Sequence, residues 1–326
     1  MVKKEDVLIV GAGPCGLSAA IELQNIGYNP LIIERGNIVH SLFKYPTHQQ
    51  FFSSSDKLAI GGIPFYSTER KPKRNEALVY YREVVKEKDL RIKAFEEVLT
   101  VRTERSGEFI VETKRKTGEQ LTYLAKHIVI ATGYYDSPNF MNIPGENLPH
   151  VYHYFHEAHT FFNQKVVVIG GKNSAVDAAL ELEKAGAEVT VVYRGEDYSQ
   201  SIKPWILPEF DGLVKKNVIK MHFNTLVCEI LPNKVVVEKN GEREHVDADF
   251  VFAMTGYHPD HSFIEGMGVK IDRNSGRPTF DKQTMETNIE NIYIAGVIAA
   301  GNNANEIFIE NGREHGKLIA HSIGSK

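Results

Sequence analysis

The stretch GAGPCG at residues 11 to 16 contains Cys15, one of only two cysteines in the chain. Glycines at the first, third and last positions of such a stretch allow a tight turn and a close approach of the backbone to a phosphate. A thiol at the start of a helix is favoured as a thiolate, which is its nucleophilic form. Cys15 is therefore either a reactive thiol or a small residue in a phosphate-binding turn, where alanine would serve as well.

This glycine motif has the sequence context that dinucleotide binding requires. Gly11, Gly13 and Gly16 follow an apolar run at residues 7 to 10 and precede apolar residues at helical spacing. Glu34 ends the next apolar run, 18 residues after Gly16. An acid near this spacing accepts a hydrogen bond from a ribose 2′-hydroxyl. The pattern predicts that the first site binds an adenosine ribose without a 2′-phosphate.

A second motif, GGKNSA at residues 170 to 175, differs from the first in two positions. Lys172 stands where the middle glycine is expected, and an outward side chain would add a positive charge beside a pyrophosphate. Arg194 lies 19 residues after Ala175, in the place of the acid. A guanidinium suits a 2′-phosphate, so this site is predicted to prefer NADPH to NADH. Lys203 either assists from the following loop or is an ordinary surface lysine.

The two motifs belong to an internal repeat with a period of about 160 residues. In each copy a strand, the glycine motif and a helix lead to a second strand, an alternating segment typical of a β-meander, and a closing strand at 127 to 133 or 249 to 256. This order predicts an α/β fold with two Rossmann-like dinucleotide-binding domains. Two such sites in one chain indicate a flavoprotein that passes hydride from NADPH to FAD.

The composition excludes several other classes of protein. The chain has 326 residues, 42% of them hydrophobic and 25% charged, as in an ordinary globular protein with two domains. Its net charge of −4 gives no reason to expect nucleic acid as a partner. It has no run of about 18 apolar residues and no signal-peptide pattern, so we expect a cytoplasmic protein without a membrane partner. The cysteines are far apart, without a Cys-x-x-Cys, and are expected to be thiols.

The order of the motifs resembles the low-molecular-weight thioredoxin reductase family. GxGxxG, ATG (131 to 133), GGKNSA and NIYIAGV (291 to 297) carry this resemblance over nearly the whole chain. It implies that the NADPH domain, at 159–284, is inserted into an FAD domain formed by 1–158 and 285–326. The chain departs from the family because it lacks the Cys-x-x-Cys of the second domain and because Val297 replaces an FAD-contacting aspartate. Thioredoxin reduction by the usual route is therefore not expected.

A closer resemblance is to the bacillithiol disulfide reductases. GAGPCG, YPTHQQFFSSSDKLAIGGIPF (45 to 65), GGKNSA and YIAGVIAAG carry it. It implies that Cys15 is the redox thiol, that bacillithiol disulfide is the substrate, and that a bacilliredoxin-type protein is a further partner. We also expect a homo-oligomer. The alternatives are a ferredoxin or flavodoxin NADP reductase, a flavin monooxygenase, and an NADPH-sensing protein that binds nucleotide without turnover.

The motifs and the resemblance together define two sets of candidate residues. The set expected near the flavin is Gly11, Gly13, Pro14, Cys15, Gly16, Glu34, Arg35, Thr47, His48, Thr132, Gly133, Gly296 and Val297. The set expected near NADPH is Gly170, Gly171, Lys172, Asn173, Ser174, Ala175, Arg194 and Lys203.

Other conspicuous residues are assigned less specific roles. For Thr47 and His48, contact with FAD or substrate and simple packing are both open. Cys228 is expected in a core, and Trp205 in a core or an interface. Histidines recur at every third position from 150 to 159, but no cysteine or acidic cluster completes a metal site with them, so no metal is expected.

Overall fold

The computed structural model describes residues 2–303 and 305–326. The chain divides into two compact units. The larger unit consists of Met1–Ser137 and Tyr257–Lys326, and the smaller unit is Pro138–Gly256. One unit is thus inserted into the other, as the family resemblance implied.

The first part of the larger unit contains the first glycine motif. Its elements are β1 (Lys3–Val10), α1 (Pro14–Asn25), β2 (Leu31–Glu34), α2 (His40–Phe43), α3 (Ser55–Leu58), α4 (Arg74–Glu87), β3 (Arg91–Ala94), β4 (Glu96–Thr103), β5 (Phe109–Arg115) and β6 (Gln120–Ile130).

The smaller unit contains the second glycine motif. Its elements are β7 (Val151–Tyr152), a 3₁₀ helix (His159–Phe161), β8 (Lys165–Ile169), α5 (Asn173–Lys184), β9 (Glu188–Val192), α6 (Leu207–Lys215), β10 (Lys220–His222), β11 (Leu226–Leu231), β12 (Lys234–Lys239), β13 (Glu242–Asp247) and β14 (Phe250–Ala253).

The remainder of the chain completes the larger unit. Its elements are α7 (His261–Glu265), β15 (Ile292–Ile294), a 3₁₀ helix (Val297–Ala300), α8 (Ile309–Gly312) and α9 (His315–Gly324).

The central sheet of each unit has the order expected for a dinucleotide-binding fold. In the larger unit β3, β2, β1 and β6 pair in parallel, and β15 adds in parallel to β6. In the smaller unit β10, β9, β8, β14 and β7 form the corresponding parallel sheet. Parallel strands are usually covered on both faces, and their sequences are therefore nearly continuous apolar runs. Both β1 and β8 have such a run, which is buried at the carboxyl end of the strand. The two Rossmann-like units predicted from the repeat are therefore present.

Each unit also has its β-meander. Strands β4, β5 and β6 pair antiparallel in the larger unit, as do β11, β12 and β13 in the smaller one. The long strand β6 belongs to both parts of its sheet, since residues 120 to 125 pair with β5 and residues 128 to 130 pair with β15. This arrangement brings the C-terminal segment to the strand next to β1.

The boundaries between the units lie earlier in the chain than the expected positions 158 and 284. The segment before β8 belongs to the smaller unit because β7 extends its sheet beside β14. The segment after Gly256 belongs to the larger unit because Ile264, Met267 and Val269 are buried in that unit's core. Loop composition marked these segments as crossings but could not show the packing that assigns them.

The prediction that Cys228 lies in a core is wrong. Cys228 is only half-buried, because β11 is an edge strand with an irregularity between Val227 and Glu229. Its thiol faces the carboxylate of Glu238 at 3.9 Å. For Trp205, exposure of 57% in the loop before α6 excludes the core of its unit and leaves the interface as a prediction.

None of the helices that the structure describes is both long enough and apolar enough to cross a lipid bilayer.

Candidate dinucleotide sites and the Cys15 thiol

Two glycines of the first loop are required by packing. Gly11 has φ +106°, and a side-chain carbon on it would lie 2.5 Å from the carbonyl oxygen of Ala131 at the end of β6. A side-chain carbon on Gly16 would lie 2.1 Å from the carbonyl oxygen of Gly11. The absence of side chains at both positions lets α1 begin directly against the ends of β1 and β6.

Gly13 has a different surrounding. Its φ of −72° suits any residue, and a side-chain carbon there would meet nothing within 4 Å. Gly13 is the N-cap of α1, Pro14 is the first helical residue, and no side chain caps the helix. The first N–H groups of α1 thus face an open cradle that a side chain would fill. This geometry fits a pyrophosphate at the helix N-terminus.

Glu34 is held by the same loop. Its carboxylate accepts hydrogen bonds from the N–H of Ala12 at 2.8 Å and from the N–H of Gly36 at 2.7 Å. These bonds fix the acid at the end of β2, beside the glycine loop. A carboxylate has further lone pairs, so Glu34 can still accept from a ribose hydroxyl.

Arg35, in contrast, is engaged by acids of the protein. It pairs with Asp136 at 2.8 Å and with Glu97 at 3.4 Å, and Lys44 also pairs with Asp136 at 2.5 Å. Burial raises the pKa of Asp136, but the two cations outweigh that effect and hold it below its usual value. The guanidinium of Arg35 is therefore part of an ion-pair cluster just after the end of β2.

Parallel pairing gathers the other candidates at the same edge of the sheet. Thr132 and Gly133 follow β6, and Gly296 and Val297 follow the adjacent β15. In parallel sheets the carboxyl ends of the strands form the ligand-binding crevice.

The segment with Thr47 and His48 approaches this edge. Tyr45 packs on Tyr135, three residues after Thr132, with ring centroids 5.0 Å apart. Thr47 is exposed in a turn and His48 is half-buried.

The half-buried Cys15 thiol lies against two glycines from the C-terminal part of the chain. A side-chain carbon on Gly296 would lie 3.0 Å from both Cβ and Sγ of Cys15. A side-chain carbon on Gly312 would also lie 3.0 Å from Sγ. Both glycines therefore make room for the sulfur atom, and the thiol lies between the β15 turn and the end of α8.

The predicted direction of the Cys15 pKa is wrong for this arrangement. Burial raises the pKa of the Cys15 thiol to about 12, so desolvation outweighs any effect of the helix N-terminus. The hydroxyl of Tyr81 donates to the carbonyl of Leu58 at 2.9 Å. Burial raises the pKa of Tyr81, and Cys15 lies close enough for the charge of its thiolate to raise that pKa as well. The thiol is therefore protonated at neutral pH.

His315 contacts the same turn and was not recognised in the sequence. Its Nδ1 accepts a hydrogen bond from the N–H of Gly296 at 3.1 Å, and burial lowers the pKa of its imidazole. A neutral ring accepting at Nδ1 fixes the backbone beside Cys15. The glycine-rich segment ENGREHG, residues 310 to 316, was the available signal for this close packing.

The second glycine loop repeats the geometry of the first. Gly170 has φ +137°, and a side-chain carbon on it would lie 2.5 Å from the carbonyl oxygen of Met254 at the end of β14. Lys172 is the N-cap of α5 in extended backbone with φ −108°, which lysine adopts without strain. Its side chain is exposed. The site thus accommodates lysine in the place of the middle glycine.

The remaining candidates surround this loop. Ala175 is buried against β8, and Ser174 is exposed in the first turn of α5. Arg194 is exposed, two residues beyond β9, and Lys203 is half-buried later in the same loop.

The histidines at 150 to 159 do not form a metal site among the residues that the structure describes. Among residues 2–303 and 305–326, no group of three or more His, Cys, Asp and Glu side chains is arranged to hold a metal ion. His150 instead contacts the carbonyl of Leu231 at 3.1 Å, and His159 lies in a 3₁₀ helix.

Comparison with known proteins agrees with two nucleotide-binding units in one chain. Residues 8–296 match the family model described as pyridine nucleotide-disulphide oxidoreductase. The chain belongs to this family. The bacilliredoxin reductase of Bacillus subtilis (strain 168) is a relative with 58% identity over 325 residues, covering 99% of this chain and 98% of the relative.

Solved structures of two further relatives match the whole chain. The bacillithiol disulfide reductase of Bacillus cereus has a TM-score of 0.98 and 60% identity, with 99% of each chain covered. The enzyme of the same description from Staphylococcus aureus has a TM-score of 0.95 and 56% identity, again with 99% of each chain covered. The resemblance identified from the motifs is confirmed.

Membership of the pyridine nucleotide-disulphide oxidoreductase family identifies the chain as a flavoprotein disulfide oxidoreductase. The family uses a flavin and a nicotinamide cofactor, and both glycine loops have the geometry to hold a dinucleotide. The residues present therefore fit the cofactors.

Proposed function

We propose that the protein is an FAD-containing, NADPH-dependent reductase of a low-molecular-weight disulfide, and that this disulfide is bacillithiol disulfide. In the net reaction NADPH and a proton convert one disulfide into two thiols and NADP⁺. The observation that carries the proposal is the identity of 58% to 60%, over 99% of the chain, with bacilliredoxin and bacillithiol disulfide reductases.

The chemistry of the two loops supports the choice of cofactors. Glu34, anchored by two backbone N–H groups, suits the unphosphorylated ribose of FAD at the first loop. Arg194 and Lys203 supply cations for the 2′-phosphate of NADPH at the second. When bound, FAD accepts hydride from the nicotinamide and passes the electron pair to a sulfur substrate.

We propose Cys15 as the thiol that reacts with the substrate. Its thiolate attacks one sulfur of the disulfide, the substrate S–S bond breaks, a Cys15–substrate disulfide forms, and one thiol leaves. Two electrons from NADPH then regenerate Cys15 and release the second thiol. Because burial raises the pKa of the Cys15 thiol, the reaction requires that the thiol loses its proton when substrate binds.

Further parts of the proposal concern the cellular setting. Cys15 and Cys228 are free thiols, which is consistent with the cytoplasmic location that we propose. A bacilliredoxin-type protein is proposed as an additional partner. The homo-oligomeric state stays a prediction, which light scattering of the purified protein tests.

The proposed function is tested with the purified protein and three electron acceptors. We expect a flavin absorption spectrum that NADPH bleaches, and NADPH oxidation that depends on bacillithiol disulfide. Faster oxidation with ferredoxin or oxygen than with the disulfide would instead identify a ferredoxin reductase or a monooxygenase. Flavin that NADPH does not bleach would indicate a binding protein.

A further inference from the structure

The side chain of Asn173 connects the second glycine loop to the loop that carries Lys203. Its Nδ2 donates to the carbonyl of Ser201 at 2.7 Å, and its Oδ1 accepts from the backbone N–H of Lys203 at 2.9 Å. Asn173 is the first residue of α5, directly after the N-cap Lys172. Both ends of its amide are therefore used to hold another loop of the protein.

The start of that loop is fixed by a different contact. The ring of Tyr193 lies against Gly171 and Gly195, since side-chain carbons on either glycine would come within 2.4 Å of the ring. The backbone N–H of Tyr193 also donates a hydrogen bond to the carbonyl of His222, and its carbonyl accepts one from the N–H of Thr225. Gly171 is thus required to accommodate Tyr193, and Arg194 leaves this anchored position with an exposed side chain.

The turn before Lys203 has internal hydrogen bonds of its own. The hydroxyl groups of Ser199 and Ser201 are 2.8 Å apart, and the N–H of Ile202 donates to the carbonyl of Ser199 at 3.0 Å. Ile202 is buried in the core of the smaller unit. The turn is therefore held by its own hydrogen bonds and by Ile202, and the Asn173 amide adds two hydrogen bonds that join it to α5.

We propose that Asn173 is a positioning residue for cofactor selectivity, which holds Lys203 where it meets the 2′-phosphate of NADPH. This inference rests on the proposed NADPH site. If the turn were not anchored, phosphate binding by Lys203 would cost the conformational entropy of ordering its backbone. The two hydrogen bonds from Asn173 order part of this backbone before the phosphate binds. The same helix receives the pyrophosphate, so one side chain couples the two phosphate-binding positions.

The test measures binding of 2′-AMP and 5′-AMP to the flavin-loaded protein by calorimetry. The variants are Asn173→Ala, Lys203→Ala and the double variant. The matched control is Gln164→Ala, which also removes an amide but lies before the first residue of β8, at the opposite end of that strand. We expect Asn173→Ala and Lys203→Ala each to weaken 2′-AMP binding about tenfold. The double variant should be no weaker than Lys203→Ala alone, and 5′-AMP binding should change little throughout.

Other outcomes overturn specific parts of the argument. Unchanged 2′-AMP binding in Asn173→Ala, with weakened binding in Lys203→Ala, contradicts the positioning role and leaves the proposed NADPH site intact. Equal losses for 2′-AMP and 5′-AMP in Asn173→Ala show a general disturbance of α5 and also contradict it. Unchanged binding in Lys203→Ala removes Lys203 from the proposed site, and the inference with it.

Steady-state kinetics provide an independent readout of the same role. We expect Asn173→Ala to raise the KM for NADPH about tenfold with little change in kcat, and to leave the kinetics with NADH nearly unchanged. A purely structural residue would instead affect both cofactors alike.

Discussion

The thiol of Cys15 lies directly against Gly312, although the two residues come from opposite ends of the chain. A methyl group on Gly312 would lie 3.0 Å from Sγ, tighter than an ordinary van der Waals contact, so the neighbouring atoms would have to shift by a few tenths of an ångström. The first glycine loop and the segment that contains Gly312 therefore pack against each other at the sulfur atom of Cys15.

This contact predicts the effect of Gly312→Ala. We expect overpacking to cost about 1–3 kcal/mol, observed as a lower melting temperature, because a methyl group on Gly312 would meet Cys15, Ile307 and Gly296 at 3.0 to 3.2 Å. Cys15→Ala should restore part of the loss when the two are combined. Gly212→Ala in α6, where nothing lies within 4 Å of the added carbon, is the control and should not destabilise. Additive effects of Cys15→Ala and Gly312→Ala would refute the contact.

The raised pKa of Cys15 predicts slow alkylation in the absence of substrate. Since burial raises this pKa to about 12, the thiolate fraction at pH 7 to 9 is small and grows about tenfold per pH unit. We expect iodoacetamide to label Cys15 more slowly at pH 8 than Cys228, the other half-buried thiol, and the Cys15 rate to keep rising through pH 10. Mass spectrometry at several pH values measures both rates. A Cys15 rate that levels off near pH 7 would show an activated thiolate.

The open cradle at Gly13 predicts a variant that folds but does not retain flavin. Gly13→Ala has room and a suitable backbone, so the protein should stay folded. The added methyl group would occupy the space of the pyrophosphate, and we expect flavin content after purification to fall at least about tenfold. The absorbance ratio at 450 and 280 nm measures it, with Gly212→Ala as the control. Full flavin content in Gly13→Ala would place the pyrophosphate elsewhere.

The positive charge of Arg194 predicts that the protein prefers NADPH to NADH. Removing the guanidinium in Arg194→Ala should lower kcat/KM for NADPH about tenfold to a hundredfold and leave NADH nearly unchanged, because NADH lacks the 2′-phosphate. The ratio of kcat/KM for the two cofactors is the measurement, and Arg243→Ala, an exposed residue of β13, is the control. A constant ratio would exclude Arg194 from recognition.

Much of the fold could be predicted because its signals are local. The apolar strands, the glycine motifs and the repeat lie within short windows, and they correctly indicated two Rossmann-like units, while the family resemblance implied that one is inserted in the other. The boundaries were missed because β7 belongs to the smaller unit through pairing with a strand about 100 residues away. Composition carries no information about such pairing.

The candidate site was less accessible to sequence reasoning for the same physical reason. The motif indicated a helix N-terminus beside Cys15, but burial raises the pKa of its thiol, and two residues against the sulfur, Gly296 and Gly312, come from the far end of the chain. The roles of Gly171 and Asn173 likewise depend on contacts with Tyr193 and Lys203 across a loop. Motif spacing identifies such residues without showing which neighbour requires them.

The rate of disulfide-dependent NADPH oxidation in wild type, Cys15→Ser and Cys228→Ser tests the central claim most directly. With bacillithiol disulfide as acceptor, we predict full activity in wild type and Cys228→Ser, and a loss of at least about a hundredfold in Cys15→Ser. Flavin content and flavin reduction by NADPH should be nearly unchanged in Cys15→Ser, because serine also fits a small position at the start of α1. Full disulfide reductase activity in Cys15→Ser would contradict the account and make Cys15 a packing residue of the turn.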